Sequence, residues 1–185
     1  MELKKVQSNI AMGILLISWS MLFAALFLGY FVFRFSQESW PPMGMSNVSL
    51  IWPGVSTLVL ALSSYTYWLF QKTFLEGKKV EGCKFLLMTI ALAIGFLVMQ
   101  FQLWGALKGQ GLYVNAGIFP SLLYGFTWIH CAHIGLGIPA LILLWFCLTK
   151  KNIFNFDELS IINLGRFWHF LGIIWLIMFL GLFVF

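Results

Sequence analysis

Residues 109–149 run for 41 positions without an Asp, Glu, Lys or Arg: GQGLYVNAGIFPSLLYGFTWIHCAHIGLGIPALILLWFCLT. An uncharged apolar stretch of roughly 18 residues or more is long enough to cross a bilayer as a helix. Two histidines, His130 and His133, lie inside this stretch. Because an ionisable group within a membrane span is costly, both are candidate functional residues.

The rest of the chain repeats this pattern. Hydrophobic residues form 61% of the 185 residues and charged residues only 9%, whereas a soluble domain carries about 25% charged residues. Further uncharged runs span 6–33, 39–71, 85–107 and 167–185. We therefore predict an all-α fold, a polytopic membrane helix bundle of five transmembrane helices that forms a single membrane domain over 1–185. The helices are expected near 9–34, 52–73, 84–106, 120–149 and 166–185.

The positive charges are distributed unevenly between the two sides that five crossings would create. One side holds the amino terminus and the loops after the second and fourth helices, with nine Lys and Arg residues; the other holds only Arg34 and Lys108. Such an excess marks the cytoplasmic side. We predict a cytoplasmic amino terminus. We also predict no nucleic-acid binding, because no basic domain is left to dock a duplex.

The histidines are the chemically distinctive groups of the spans. Thr127, His130 and His133 recur at intervals of three, which places them on one helix face. His169 follows Trp168 in the last uncharged run. These imidazoles could be metal or haem ligands, could relay protons, or could be neutral braces hydrogen-bonded to neighbouring helices.

Depth and ligand number argue against a metal centre. His133 lies sixteen residues before the cytoplasmic end of the fourth helix, or roughly 24 Å along its axis, whereas His169 is expected only about 5 Å into the fifth helix. No carboxylate or cysteine lies on the expected face to complete a site, and catalytic zinc takes about three protein ligands. We predict no catalytic, cofactor-binding or metal-binding residues. The residues interpreted as structural polar groups in the membrane are His130, His133, His169, Thr127 and Trp168.

Basic residues at the ends of the spans are candidate ligands for lipid. A cationic side chain beside an apolar groove can pair with an anionic head group. Ordinary loop charges are the alternative interpretation. The candidates are Arg34, Lys150, Lys151 and Arg166.

Six segments follow one another in the order and spacing of a known family, over nearly the whole chain. They are Leu16–Ala25 (continuing to Gly29–Phe31 and Arg34), Trp40–Gly44, Thr57–Ser64, Gly95–Gln100 with Trp104, Thr127–Gly137 and Phe167–Trp175. Together they resemble subunit III of the haem–copper respiratory oxidases, that is, cytochrome c oxidase and its quinol-oxidising relatives.

The resemblance implies a five-helix bacterial form of that subunit, without the two extra amino-terminal helices of longer members. It implies a non-catalytic accessory subunit in the bacterial cytoplasmic (inner) membrane that packs against subunit I and holds phospholipid. The chain itself would carry no cofactor, and haem and copper are expected in subunit I, where O2 is reduced. Subunit II and other respiratory subunits are further expected partners.

Three positions depart from the family pattern. Trp19, Leu103 and Gly172 stand where the resemblance places intramembrane carboxylates. Without an acidic partner, burial favours neutral imidazoles, so a proton-handling role is in doubt while a structural, lipid-holding role survives. Two alternatives stay open: a subunit III-like protein associated with nitric oxide reductase, and a free-standing membrane transporter or haem-binding protein.

Overall fold

A computed structural model describes residues 2–42, 49–149 and 158–184. These ranges contain five long helices and no strand, so the predicted all-α fold is confirmed for them. A short 3-10 helix, Val114–Ala116, precedes the fourth long helix, and a π-helical turn, Leu180–Val184, follows the fifth. The long helices are α1 (Glu2–Ser36), α2 (Ile51–Leu75), α3 (Lys79–Gly109), α4 (Ile118–Thr149) and α5 (Glu158–Phe179).

Four segments within the described part of the chain are long and apolar enough to cross a membrane. They lie in α1, α3, α4 and α5, the last extended by the π-helical turn. At 25 residues, α2 is about 37 Å long and also exceeds a hydrocarbon core of about 30 Å. However, over a membrane-length stretch α2 is less apolar than the other four long helices, because many of its residues are Ser, Thr, Tyr or Trp. Of the five predicted membrane spans, four therefore have the length and composition that a crossing requires.

All five long helices begin before the residue that the sequence predicted, and the difference is largest for α1 and α5. The first begins at Glu2 rather than near residue 9, and the fifth begins at Glu158 rather than near residue 166. An uncharged run marks the apolar length of a helix, whereas backbone hydrogen bonding continues into the flanking polar residues. The earlier start of α5 changes the depth of every residue in it.

Two glycines end α2 and α3 in the same way. Gly77 has a φ of 81°; its N–H donates to the carbonyl of Phe74 at 3.0 Å, and the N–H of Lys78 donates to that of Thr73 at 3.0 Å. Gly111, with a φ of 77°, closes α3 with the equivalent pair of bonds. Glycine adopts this left-handed conformation without a Cβ clash. The turn after Gly77 is short, so α2 and α3 lie side by side and antiparallel.

The helices pack so that α5 lies against α1, α2 and α4, while α3 bridges α2 and α4. Trp168 and Trp175 of α5 are the largest fully buried side chains. By contrast, α1 is peripheral and buries few side chains, of which Phe23 and Tyr30 are the largest. Apolar side chains such as Ile17 cover the outside of the bundle, as expected for helices that face lipid.

Candidate functional site

His130 lies inside the bundle among aromatic rings from three helices. Its side chain is fully buried, and its ring centroid is 5.3 Å from that of Trp175, 5.8 Å from Phe96 and 6.3 Å from Phe23. We call these four residues the His130 cluster. Neither ring nitrogen has a hydrogen-bond partner among the described residues. The expected hydrogen bond to a neighbouring helix is therefore not made by His130, which is held by ring packing.

His133, one turn further along α4, faces α1. Its Nδ1–H donates to the carbonyl of Ile129 in its own helix at 2.6 Å. The edge of Trp19 meets the imidazole with centroids 4.4 Å apart, and Trp19 also packs on Phe167 at 5.1 Å. An indole thus fills the space beside His133 at the position where the family resemblance places a carboxylate.

His169 faces α2 instead. Its Nδ1 lies 2.5 Å from the hydroxyl oxygen of Ser64, and its ring stands edge-on to Tyr67 at 6.1 Å. This is an interhelical hydrogen bond of the kind that the sequence predicted for the histidines. It is one of several polar contacts along one interface, which we call the α2–α5 seam. The seam consists of Ser63, Ser64, Tyr67 and Gln71 of α2 and Ile161, Gly165, Trp168 and His169 of α5.

Trp168 continues the seam on its buried side. Its indole Nε1–H donates to the hydroxyl of Ser63 at 3.2 Å, and that hydroxyl donates to the carbonyl of Thr89 on α3 at 3.2 Å. The hydroxyls of Thr66 and Thr89 lie 2.9 Å apart. Three helices are therefore joined by hydrogen bonds between buried groups, which are the usual polar link between helices in a membrane.

Near one end of the seam the side chains of α2 reach the backbone of α5. The Tyr67 hydroxyl donates to the carbonyl of Ile161 at 2.9 Å, and the Gln71 amide donates to the same oxygen at 3.2 Å. This approach requires a glycine at 165, because a Cβ there would lie 2.7 Å from Cε1 of Tyr67 and closer still to the Gln71 amide.

Thr127 ties α4 to α3. Its hydroxyl oxygen accepts a hydrogen bond from the Trp104 indole at 3.0 Å and donates to the carbonyl of Leu123 at 2.8 Å. The Tyr124 hydroxyl donates to the carbonyl of Trp104 at 3.3 Å. Thr127 contacts Trp104 and His130 contacts Phe96, and both of these partners lie on one face of α3. The helix face that Thr127 and His130 were predicted to share therefore packs against α3.

Two contacts define the register between the antiparallel helices α4 and α5. His130 packs on Trp175, and a Cβ on Gly137 would lie 2.8 Å from the ring of Trp168. The contacts are separated by seven residues on each helix. Position 169 is therefore level with position 136 of α4, and a bulky residue at 137 would push the helices apart.

The large difference in depth expected between His133 and His169 is wrong. The register places His169 level with position 136, three residues or about 5 Å along α4 from His133. His169 lies deeper than expected because α5 begins at Glu158. The rings are separated by direction instead, since one faces α1 and the other α2. Within the described ranges, no group of three or more His, Cys, Asp or Glu residues could hold a metal ion.

The basic candidates for lipid binding lie at opposite ends of the bundle. Arg34 donates to the Tyr30 hydroxyl at 3.0 Å. Arg166 is exposed and donates to the side-chain oxygens of Asn9 and Asn163 at 2.9 and 3.0 Å, which links α1 to α5. The predictions for Lys150 and Lys151 lie outside the described residues.

One polar residue gains importance that the sequence did not suggest. Gln100 of α3 is fully buried, and its amide oxygen and nitrogen have no hydrogen-bond partner among the described residues. Ser63 and Ser64, which end the segment Thr57–Ser64, also proved to be hydrogen-bonding groups. The sequence signal that could have identified Gln100 is its position as a polar residue within the long uncharged run 85–107.

Long apolar helices, joined by buried polar contacts and covered by apolar side chains, define the chain as a multi-pass membrane protein. The chain belongs to a specific family of such proteins. The family model described as cytochrome c oxidase subunit III matches residues 2–185, which confirms the predicted resemblance.

Relatives carry names from both branches of that family. The chain is 30% identical to "Cytochrome c oxidase subunit 3" of Thermostichus vulcanus, over 92% of this chain and 84% of the relative. It is 28% identical to "Cytochrome bo(3) ubiquinol oxidase subunit 3" of Pseudomonas putida, over 85% and 76% of the two chains. It is also 28% identical to "Heme-copper oxidase subunit I+III" of Aeropyrum pernix, over 91% of this chain and 22% of that longer protein.

Proposed function

We propose that this chain is a non-catalytic accessory subunit III of a bacterial terminal oxidase, which stabilises subunit I in the cytoplasmic membrane. The observation that carries the proposal is the match to the subunit III family over residues 2–185. The name of the Aeropyrum relative combines subunits I and III, which supports subunit I as the main partner. Haem and copper would reside in subunit I, where O2 is reduced, and subunit II would belong to the same complex.

Mild-detergent purification of the tagged chain tests this assembly. A haem–copper subunit should co-purify in a fixed ratio, with its haem absorbance. His130→Ala and His133→Ala should lower the amount of subunit I recovered but leave the haem bands of the assembled complex unchanged. A chain that purifies alone with stoichiometric haem, or a haem band lost from the assembled complex, would overturn the proposal.

We further propose that phospholipid lies in a groove between α1, α4 and α5. The groove has a volume of about 360 Å³, and apolar walls that include Leu15 and Leu143. Ser8 and Asn163 line it, and Asn163 is hydrogen-bonded to Arg166. Acyl chains would therefore meet apolar walls, with an anionic head group near the guanidinium.

A groove-filling substitution tests the lipid proposal. Ala140 lines the groove, so Ala140→Phe should lower the phospholipid retained per purified chain in the extracted lipid. Ala61 of α2 is exposed and does not line the groove, so Ala61→Phe makes the same substitution elsewhere and serves as the matched control. Equal lipid retention by both variants would refute this location.

We also propose that α2 crosses the membrane together with the other four helices and that the amino terminus is cytoplasmic. The length of α2 and the excess of Lys and Arg at one end of the bundle support this topology. Single cysteines at Leu50, Lys78 and Tyr113, in a variant without the native cysteines, test it. An impermeant thiol reagent added to intact cells should label the first and third positions only. Labelling of Leu50 and Lys78 from the same side would exclude a crossing by α2.

A further inference from the structure

Gln100 and His130 present four buried polar atoms to one helix interface, and none has a partner among the described residues. Both side chains are fully buried. A buried polar group without a hydrogen bond is destabilising, and native proteins rarely leave such groups unpaired. Two of them at one interface therefore point to a bound partner.

The contacts around them place the two side chains within about one helical turn of each other. On α3, Phe96 meets His130, and Trp104 bonds to Thr127. Gln100 lies four residues from each of these α3 residues, and residues four apart share a helix face. Its amide therefore falls between the level of His130 and the level of Thr127.

The nearby polar groups are already engaged. The Thr127 hydroxyl accepts from Trp104 and donates to its own helix. The Trp175 indole, whose ring packs on His130, donates to the Thr57 hydroxyl at 3.0 Å. The rings of Phe23 and Phe96, which also pack on the imidazole, offer it no hydrogen-bonding group. Among the described residues, these neighbours therefore leave the polar atoms of Gln100 and His130 unpaired.

We propose that Gln100 and His130 form an internal hydration site, in which at least one water molecule bridges the amide to the imidazole. The donors and acceptors are complementary. A neutral imidazole offers one donor and one acceptor, and the amide offers two donors and an acceptor, so a water can accept from one side chain and donate to the other. Buried waters typically make about three such bonds. The inference concerns this chain's own core and does not depend on the proposed function.

Structure determination of the purified protein, with any subunits that accompany it, tests the site directly. At a resolution that shows ordered water, non-protein density should lie within about 3 Å of both the Gln100 amide and a ring nitrogen of His130. A direct hydrogen bond between the two side chains without such density would overturn the proposal. So would two side chains that point apart.

A double-mutant cycle provides the second test. Gln100→Leu or His130→Phe alone leaves the other polar group unpaired, so each should lower the midpoint of thermal unfolding. The double variant removes both polar groups, and it should lose less than the sum of the two single losses. Additive losses would count against a shared water.

His133 supplies the matched control. It lies on the same helix face as His130, but its Nδ1–H is bonded to the Ile129 carbonyl. His133→Phe combined with Gln100→Leu should therefore give additive losses. Equal non-additivity in both pairs would mean that the coupling reflects general packing of α3 and α4, and it would refute a specific hydration site.

Discussion

The α2–α5 seam and the His130 cluster hold a histidine in different ways. In the seam, Ser64 bonds to His169, Ser63 bonds to Trp168, and two side chains reach the carbonyl of Ile161. In the cluster, three aromatic rings pack around His130, and its nitrogens have no partner among the described residues. Two regions of one small bundle thus join helices by different forces.

The difference follows from what each neighbouring helix contributes. The segment of α2 that faces α5 carries hydroxyl and amide groups, and Gly165 lets them approach the backbone. The helices around His130 contribute Phe23, Phe96 and Trp175. Without water, a polar group must find an internal partner. The seam should therefore depend on hydrogen bonds and close approach, and the cluster on packing and on any bound water.

Trp168→Ala should have the largest effect, because it removes both the packing and the hydrogen bond at the centre of the seam. Trp168 is 1% exposed, and truncation of such a side chain costs about 3–5 kcal/mol. Unfolding of the purified protein in detergent measures the loss. Trp128→Ala on the exposed face of α4 is the control. Similar losses for both would mean that burial of Trp168 does not stabilise the seam.

Gly165→Ala should have the next largest effect. The new methyl group would overlap Tyr67 and Gln71, and overpacking of this kind costs about 1–3 kcal/mol. Gly172→Ala, seven residues later on α5, is the control because its Cβ would meet only Ser64 at 3.8 Å. In an exposed helix alanine is favoured over glycine by about 1 kcal/mol, so the control should be neutral or stabilising. Destabilisation of both variants alike would show that α5 tolerates no added methyl group, whatever the α2 contacts.

Much of this fold was accessible from the sequence. Uncharged runs of membrane length predicted the long helices, because the bilayer requires apolar segments of that length. The helix ends were harder to predict from the sequence. For example, α5 starts at Glu158, because polar residues before the uncharged run also belong to the helix. That error led to the wrong depth for His169, which is close in level to His133 but faces α2 rather than α1.

The hydrogen-bond and packing partners of the polar groups could not be predicted from the sequence, because spacing along one helix does not show which neighbouring helix each face contacts. Thr127, His130 and His133 share a face by spacing, yet Thr127 bonds to Trp104 while His133 packs on Trp19. Helix rotation and register determine these contacts. For the same reason, the sequence gave no sign that Gln100 is buried without a hydrogen-bond partner among the described residues.

Ser64→Ala should have a smaller effect, since it removes one hydrogen bond of the seam. The bond to His169 should be worth about 1 kcal/mol, close to the average of about 0.6 kcal/mol for such bonds in a membrane protein. Ser18→Ala is the control, because that hydroxyl bonds only to the Ile14 carbonyl of its own helix and is exposed. Equal stability of Ser64→Ala and Ser18→Ala would show that the interhelical bond adds nothing.

Tyr67→Phe should have the smallest single effect, because the Ile161 carbonyl keeps the Gln71 amide as a donor. We expect a loss below about 1 kcal/mol. Tyr67→Phe with Gln71→Leu removes both donors, and the combined loss should exceed the sum of the two single losses, since each donor compensates for the absence of the other. The pair at Gln100 and His130 should deviate in the opposite sense. Deviations of the same sign in both cycles would mean that the two regions do not differ in how their polar groups are satisfied.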